Sequence, residues 1–358
     1  MKWPIRRDLP SARSKESKTA MNSFTRTTGA VAVAATLVLG ASACSTGSNP
    51  APATTADGAE GLTIAFVMGA EADPFFKAMK VGAEAEIAAK GDTLLWQGDP
   101  SVYSPATQIP IVDQVLAQKP DCLVLIPTDP DALQASVTKA TSAGIPVLNV
   151  DTRVTDLGDV VSFITGDNTQ GGASAADAMA SAIGYEDGNT YEVVVGLTSE
   201  TATTNVARLD GFEKQIAAEY PGISIVDTAY SQSQAATANS NVSNWLTKYP
   251  DLAGIFAIDG TNATGASSAL QAKGLAGKVA LVGYDAYKDN VDLLTKGVFT
   301  ALIAQDPAAE AKQAIETCHQ YIENGNSGDG IEASVTLPNI ILDADTSPED
   351  LAKYTYVQ

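Results

Sequence analysis

The 358-residue chain predicts an α/β protein built as two doubly wound lobes of parallel sheet. Three observations carry that expectation. Short apolar runs of strand length alternate with helical stretches almost throughout residues 62–323. The strand runs are continuously apolar instead of alternating, the pattern of parallel strands covered by helices on both faces. There are about ten of them, more than one twisted sheet readily holds when its βα crossovers are right-handed.

The N-terminal segment stands apart from that pattern. Residues 1–20 are polar and broken by Pro4 and Pro10, whereas from Met21 the chain offers Arg26, an apolar run over 29–43, and then Cys44. A run of about fifteen residues is too short to cross a bilayer, which takes roughly 20, and fits the core of a signal peptide. Ala41 and Ala43 supply the small residues of a cleavage site just before Cys44. Met21 is therefore the expected start, and 1–43 the expected signal. Residues 45–61, rich in Ser, Thr, Pro, Ala and Gly, read as a flexible tether.

Beyond the tether the expected strands are 62–68, 94–96, 122–126, 146–150, 160–164, 191–197, 223–226, 254–258, 279–282 and 300–303. Helical stretches fall between most of them, at 75–90, 109–118, 132–143, 171–183, 208–219, 235–248, 263–273 and 307–323. Phe75 and Phe76 open an apolar helix face, which puts one of them in the core. Asp167 and Asn168, just ahead of Gly171-Gly172, read as a helix cap.

Charge narrows the partners. The chain carries 22 Lys and Arg against 42 Asp and Glu. The signal segment takes seven of the basic residues and two of the acids, so the mature chain keeps 15 against 40, a net charge of −25. Such a chain is repelled by nucleic acid and by anionic lipid. Once Cys44 is set aside, Cys122 and Cys318 remain. A bridge between them and a pair of buried free thiols are both open readings, and two cysteines exclude a disulfide-built scaffold. His319 has no second histidine to join it in a metal site. Asp343-Ala-Asp345 lacks the glycine and distal glutamate of a calcium loop.

In doubly wound sheets ligands bind beyond the carboxyl ends of the strands. Those ends carry Asp73 with Phe75 and Phe76, Asp151 with Arg153, the stretch from Thr198 to Arg208, Asp259 with Asn262, then Asp285 and Gln305. The set offers carboxylates, amides, guanidinium and aromatic rings, with no nucleophile and base in view and no glycine-rich phosphate loop after Met68. Its chemistry is hydrogen bonding and stacking, which suits a polyhydroxy ring. A ligand lacking one hydroxyl would leave a buried polar group unpaired, at about 1–3 kcal/mol.

Taken in order, Asp73-Pro-Phe-Phe76, Asp151, Gly166-Asp-Asn168 with Gly171-Gly172, Arg208 ahead of Gly211-Phe212, Tyr249-Pro-Asp-Leu252, Val282-Gly-Tyr-Asp285 and Ala304-Gln305 resemble the ribose-binding-protein kind of type I periplasmic binding protein. The resemblance covers nearly all of 62–343. The stretch Leu39 to Cys44 likewise resembles a bacterial lipobox, with Ala41 where leucine is commoner. Together they imply a sugar-binding lipoprotein of an ABC transporter, lipid-anchored through Cys44 to the outer face of the cell membrane.

That family pattern divides the chain into one lobe of 62–166 plus 306–337 and another of 167–305 plus 338–358, with hinge crossings near Gly166, Gln305 and Leu337. It implies a monomer that closes over a monosaccharide or sugar alcohol and delivers it to permease transmembrane subunits, with no cofactor, no metal and no nucleic acid. Ligand-binding roles fall on Asp73, Phe75, Phe76, Asp151, Arg153, Arg208, Asp259, Asn262, Asp285 and Gln305. Departures from the pattern count against ribose itself: Thr152 intervenes before Arg153, Asp259 stands where asparagine is expected, and the aromatic expected at 231–234 is missing unless Tyr230 replaces it. The alternative is a sensor for a signalling sugar such as autoinducer-2. A lactose-repressor-like regulator would need a helix-turn-helix where this chain has a signal peptide, and an enzyme ranks below both.

Overall fold

The computed structural model describes residues 61–356. The expected signal peptide, its Met21 start, the Cys44 lipidation site and the tether up to residue 60 lie outside the described residues.

The first sheet begins with β1 (Thr63–Ala70), α1 (Pro74–Lys90), β2 (Thr93–Asp99), α2 (Pro105–Leu116), β3 (Cys122–Leu125), α3 (Gln134–Ser142), β4 (Val147–Val150) and β5 (Ser162–Gly166). The chain then crosses to a second sheet through α4 (Asn168–Ile183), β6 (Tyr191–Leu197), α5 (Thr203–Glu219), β7 (Ile223–Tyr230), α6 (Ala235–Lys248), β8 (Gly254–Ala257), α7 (Gly260–Lys273), β9 (Ala280–Tyr284), α8 (Lys288–Leu294) and β10 (Ala301–Ala304). It returns through α9 (Pro307–Glu323) to β11 (Ser334–Leu337), crosses once more to β12 (Ile340–Asp343), and continues into α10 (Pro348–Tyr354).

The first sheet has the order β11-β5-β4-β3-β1-β2 and the second β12-β10-β9-β8-β6-β7. Every neighbouring pair is parallel except β10 with β12. The strands are apolar on both sides because both sides are covered. Along β1, Ile64, Phe66 and Met68 enter one core cluster with α1 and α9, while Ala65 and Val67 enter another with Val112 and Leu123. The two lobes are joined by three crossings, of which the first and third are tied together: Asp167 N donates to Leu337 O (2.8 Å) and Asn339 Nδ2 to Asp167 O (2.8 Å).

Cys122, at the start of β3, and Cys318, in α9, are joined by a disulfide with their Cα atoms 6.0 Å apart. The bond fixes the returning helix to the first sheet. His319 beside it pairs with Asp92 (2.5 Å), whose other carboxylate oxygen accepts from Leu62 N (2.9 Å). Among the described residues there are twelve strands, two more than expected from sequence. β11 and β12 escape the pattern because they are four residues long and only partly buried. α5 starts at Thr203, five residues before the expected 208, because its first turn is polar and faces the cleft.

Candidate functional site

The carboxyl ends of the two sheets face each other across one cleft, and local backbone chemistry aims their side chains into it. Asp73 caps α1, with Pro74 at the first helical position and Phe75 N donating to its Oδ1 (3.0 Å). Asp259 caps α7 in the same way, accepting from Asn262 N (2.9 Å). A buried cap satisfies a helix amide and leaves the other carboxylate oxygen for a partner. Asp151 and Asp285 arise differently. Each directly follows a strand, β4 and β9, and each holds a left-handed backbone, with φ of 59° and 66°. Such a conformation is costly for a side-chain-bearing residue and concentrates where function requires it.

A single cavity is lined by Asp73, Phe75, Phe76 and Asp151 from the first lobe and by Arg208, Asp259, Asp285 and Gln305 at the second. Eight of the ten residues expected from sequence thus come together. Both phenylalanines belong to the buried core of the first lobe and both also line the cavity, each 6% exposed and packed edge to face at 5.4 Å. Asn262 stands behind Asp259, donating from Nδ2 to its Oδ2 (2.7 Å) and to Ser231 Oγ (3.0 Å). Arg153 lines a separate recess, and its guanidinium turns toward the carbonyl oxygens of Val154 and Thr155. Thr152, between Asp151 and Arg153, is buried and donates its hydroxyl to Pro127 O (2.8 Å).

Arg208 is the one guanidinium in the cavity. It lies 2% exposed, 3.7 Å above the ring of Tyr284, and donates from Nε to Asn168 Oδ1 (2.7 Å) and from Nη1 to Ile258 O (3.0 Å). A guanidinium has five N–H donors, so most of its capacity is left for a partner. Asp167 caps α4 by accepting from Gln170 N (3.0 Å), as the cap reading expected, and its neighbour Asn168 serves to hold Arg208.

Burial drives the electrostatics. It pushes Asp151 up to about 7 against the pull of Arg208, with Asp285 and Asp73 adding to the rise. It pushes Asp73 up to about 6 against the hydrogen bonds from Tyr287 and Phe75. Glu310, in the first turn of α9, is fully buried with neither carboxylate oxygen hydrogen-bonded, and burial raises it well above the usual range. Carboxyl groups outnumber the single guanidinium, and burial with mutual repulsion disfavours their charged forms, so hydroxyl donors from a ligand would relieve the excess of acceptors.

Sequence reasoning missed the tyrosines. Tyr230 is 37% exposed and lines no part of the cavity; Tyr103 and Tyr287 line it instead. Tyr103 sits in a loop after β2 and can lie across β1 because Gly69 has no Cβ, which would come within 2.9 Å of its ring. Tyr287 lies against Gly260, where a Cβ would fall 2.2 Å from its ring. The signal available was each tyrosine's place a few residues beyond a strand end.

The lobes are closed on one another. Tyr287 OH and Thr261 Oγ1 (3.2 Å) donate to Asp73, Thr201 Oγ1 donates to Asp129 (2.9 Å), and Gln234 Nε2 donates to Ser101 O (2.7 Å). Two lobes of mainly parallel sheet, three chain crossings between them and a polar cleft between strand ends define the fold of a two-lobed binding protein. Residues 64–327 match the periplasmic binding protein domain, and the chain belongs to that family.

Relatives include the ribose import binding protein of Escherichia coli (strain K12), 30% identical over 261 residues that cover 73% of this chain and 85% of the relative. The D-ribose/D-allose-binding protein of Pseudomonas aeruginosa is 32% identical over 277 residues, covering 75% and 84%. Among solved structures, an ABC transporter solute-binding protein from Agrobacterium vitis bound with α-D-tagatopyranose superposes with a TM-score of 0.77 at 31% identity, covering 83% of this chain and 100% of that one.

Proposed function

We propose that this protein is the extracytoplasmic solute-binding component of an ABC importer, capturing one monosaccharide or sugar alcohol between its lobes and presenting it to a permease. The observation that carries the reading is the meeting of Asp73, Phe75, Phe76 and Asp151 with Arg208, Asp259, Asp285 and Gln305 around one buried cavity. In this reading the carboxylates accept ligand hydroxyls, Arg208 donates to ligand oxygens, and a phenylalanine ring covers an apolar C–H face. The bound ligand bridges the lobes and favours the closed form, a hinge closure of the kind general to such proteins. The relatives named for ribose and allose, and the neighbour holding tagatose, support a small polyhydroxy ligand.

The same reading anchors the mature chain through a lipid on Cys44. Two acyl chains hold a protein stably at a bilayer, at about 0.8 kcal/mol for each buried methylene, and a tether over 45–61 would keep the receptor concentrated beside its permease. Cys44→Ser is expected to move the protein from the membrane fraction to the soluble one; unchanged membrane retention contradicts the anchor. Thermal-shift screening of the purified protein against pentoses, hexoses and alditols is expected to raise Tm for a few of them. A panel with no shift contradicts the sugar reading.

A further inference from the structure

Past its last strand the chain continues through α10 and turns back to the cleft. Tyr356 N donates to Ala286 O (2.9 Å), and the side chain is 5% exposed. Its hydroxyl accepts from Gln305 N (3.1 Å) and donates to Asp285 Oδ1 (3.1 Å). Its ring lies 6.2 Å from Phe75, edge on, and 6.0 Å from Tyr287. One side chain of the C-terminal segment therefore touches residues of both lobes. The segment lies beyond the matched family domain, which ends at residue 327.

The hydroxyl does defined work on Asp285. Oδ1 accepts from both Gln305 Nε2 (2.7 Å) and Tyr356, and Oδ2 accepts from Gly260 N (2.9 Å). A carboxylate has about four acceptor sites. Three are thereby occupied, the carboxylate plane is fixed, and Oδ2 keeps one site for a ligand hydroxyl.

Two spaces meet at this point. The cavity measures about 50 Å³ and holds Asp285 and Gln305 in its lining; the groove outside it measures about 890 Å³ and is lined by Lys288, Asp292, Ala352 and Tyr356. Asp73, Ser233 and Tyr287 line both spaces and form the partition between them. Tyr356 backs that partition, with its ring at the groove and its hydroxyl on two cavity residues.

We infer that Tyr356 is a specificity-determining residue: it holds Asp285 and Gln305 in place and stands on the groove side of the partition, so that it disfavours a glycoside or disaccharide extending toward the groove relative to the free monosaccharide or alditol. The inference rests on the sugar-binding reading above. A second sugar unit extending toward the groove would meet the Tyr287–Tyr356 pair.

The test is calorimetric titration of wild type, Tyr356→Phe and Tyr356→Ala with the monosaccharide that wild type binds, its methyl glycoside, and a disaccharide containing it. Tyr356→Phe keeps the ring and loses the hydroxyl. It is expected to weaken monosaccharide binding about tenfold with the preference over the glycoside retained. Tyr356→Ala is expected to weaken the monosaccharide at least as much and to narrow its preference over the glycoside by about tenfold or more. Should Tyr356→Ala fail to fold by circular dichroism, Tyr356→Phe decides, and wild-type affinity in it overturns the inference. Wild-type affinities and preference in both variants, alongside sugar binding by wild type, overturn this inference alone. A wild type that binds no sugar overturns the functional reading and this inference with it.

Discussion

Asp151 concentrates the tension in the site. It combines a left-handed backbone, burial, and a carboxylate facing other carboxylates, with Arg208 as the nearest compensation. Burial raises it to about 7 from an ordinary 3.8, so the folded protein binds more protons than the unfolded chain between pH about 4 and 7. The stability cost therefore grows as pH rises through that window and is full above it. Asp151→Asn removes the ionisation. At pH 8 its Tm is expected to exceed that of wild type by roughly 2–4 °C, a gain that shrinks by pH 5. A gain independent of pH in thermal melts would show that ionisation is not the cause. Asp151, Asp259 and Asp285 were legible in the sequence because each stands within three residues of the end of an apolar strand run. Arg153 was equally legible, but it lines a neighbouring recess that shares Asp151 with the cavity, because adjacency in sequence does not report which way a side chain turns. Tyr356 was invisible, because nothing local says that a tail folds back.

At the scale of elements, the pose of Arg208 depends on how closely α4 and α5 approach. A Cβ on Gly172 would fall 1.9 Å from Arg208 O, and one on Gly211 would fall 2.1 Å from Thr169 O. The two helices meet backbone to backbone, and Asn168 at the start of one bonds the guanidinium carried by the other. Gly172→Ala forces them apart. Overpacking of this kind costs about 1–3 kcal/mol, so Tm is expected to fall by roughly 2–8 °C, with sugar affinity reduced as Arg208 shifts. Wild-type Tm and affinity would show the contact to be compliant. Helix and strand identity was readable here from periodicity, and Gly171-Gly172 and Gly211 stood out. What they touch was not, because the contact is between segments about forty residues apart. The short edge strands β11 and β12 were missed for a related reason: four half-buried residues carry too little pattern.

The whole molecule follows from one economy of topology. Because parallel strands deliver their carboxyl ends to one edge of each sheet, two such sheets placed end to end bring together residues far apart in the chain, from Asp73 to Gln305. The three crossings are the covalent links between the lobes, and the Asp73–Tyr287, Thr201–Asp129 and Gln234–Ser101 contacts close them on one another. The disulfide between Cys122 and Cys318 stiffens the first lobe without spanning the hinge. The two-sheet architecture was readable from the repeating strand and helix pattern, whereas the closed state was not, since the contacts that hold it are single polar pairs. Sugar binding in this cleft by its carboxylates and Arg208 is tested most directly by a crystal structure of the wild-type protein grown with the sugar that gives the largest thermal shift. One sugar ring is expected between the lobes, against Phe75 or Phe76, hydrogen-bonded by Asp151, Arg208, Asp259 and Asp285. Ligand density elsewhere on the molecule, with this cavity empty, would contradict it.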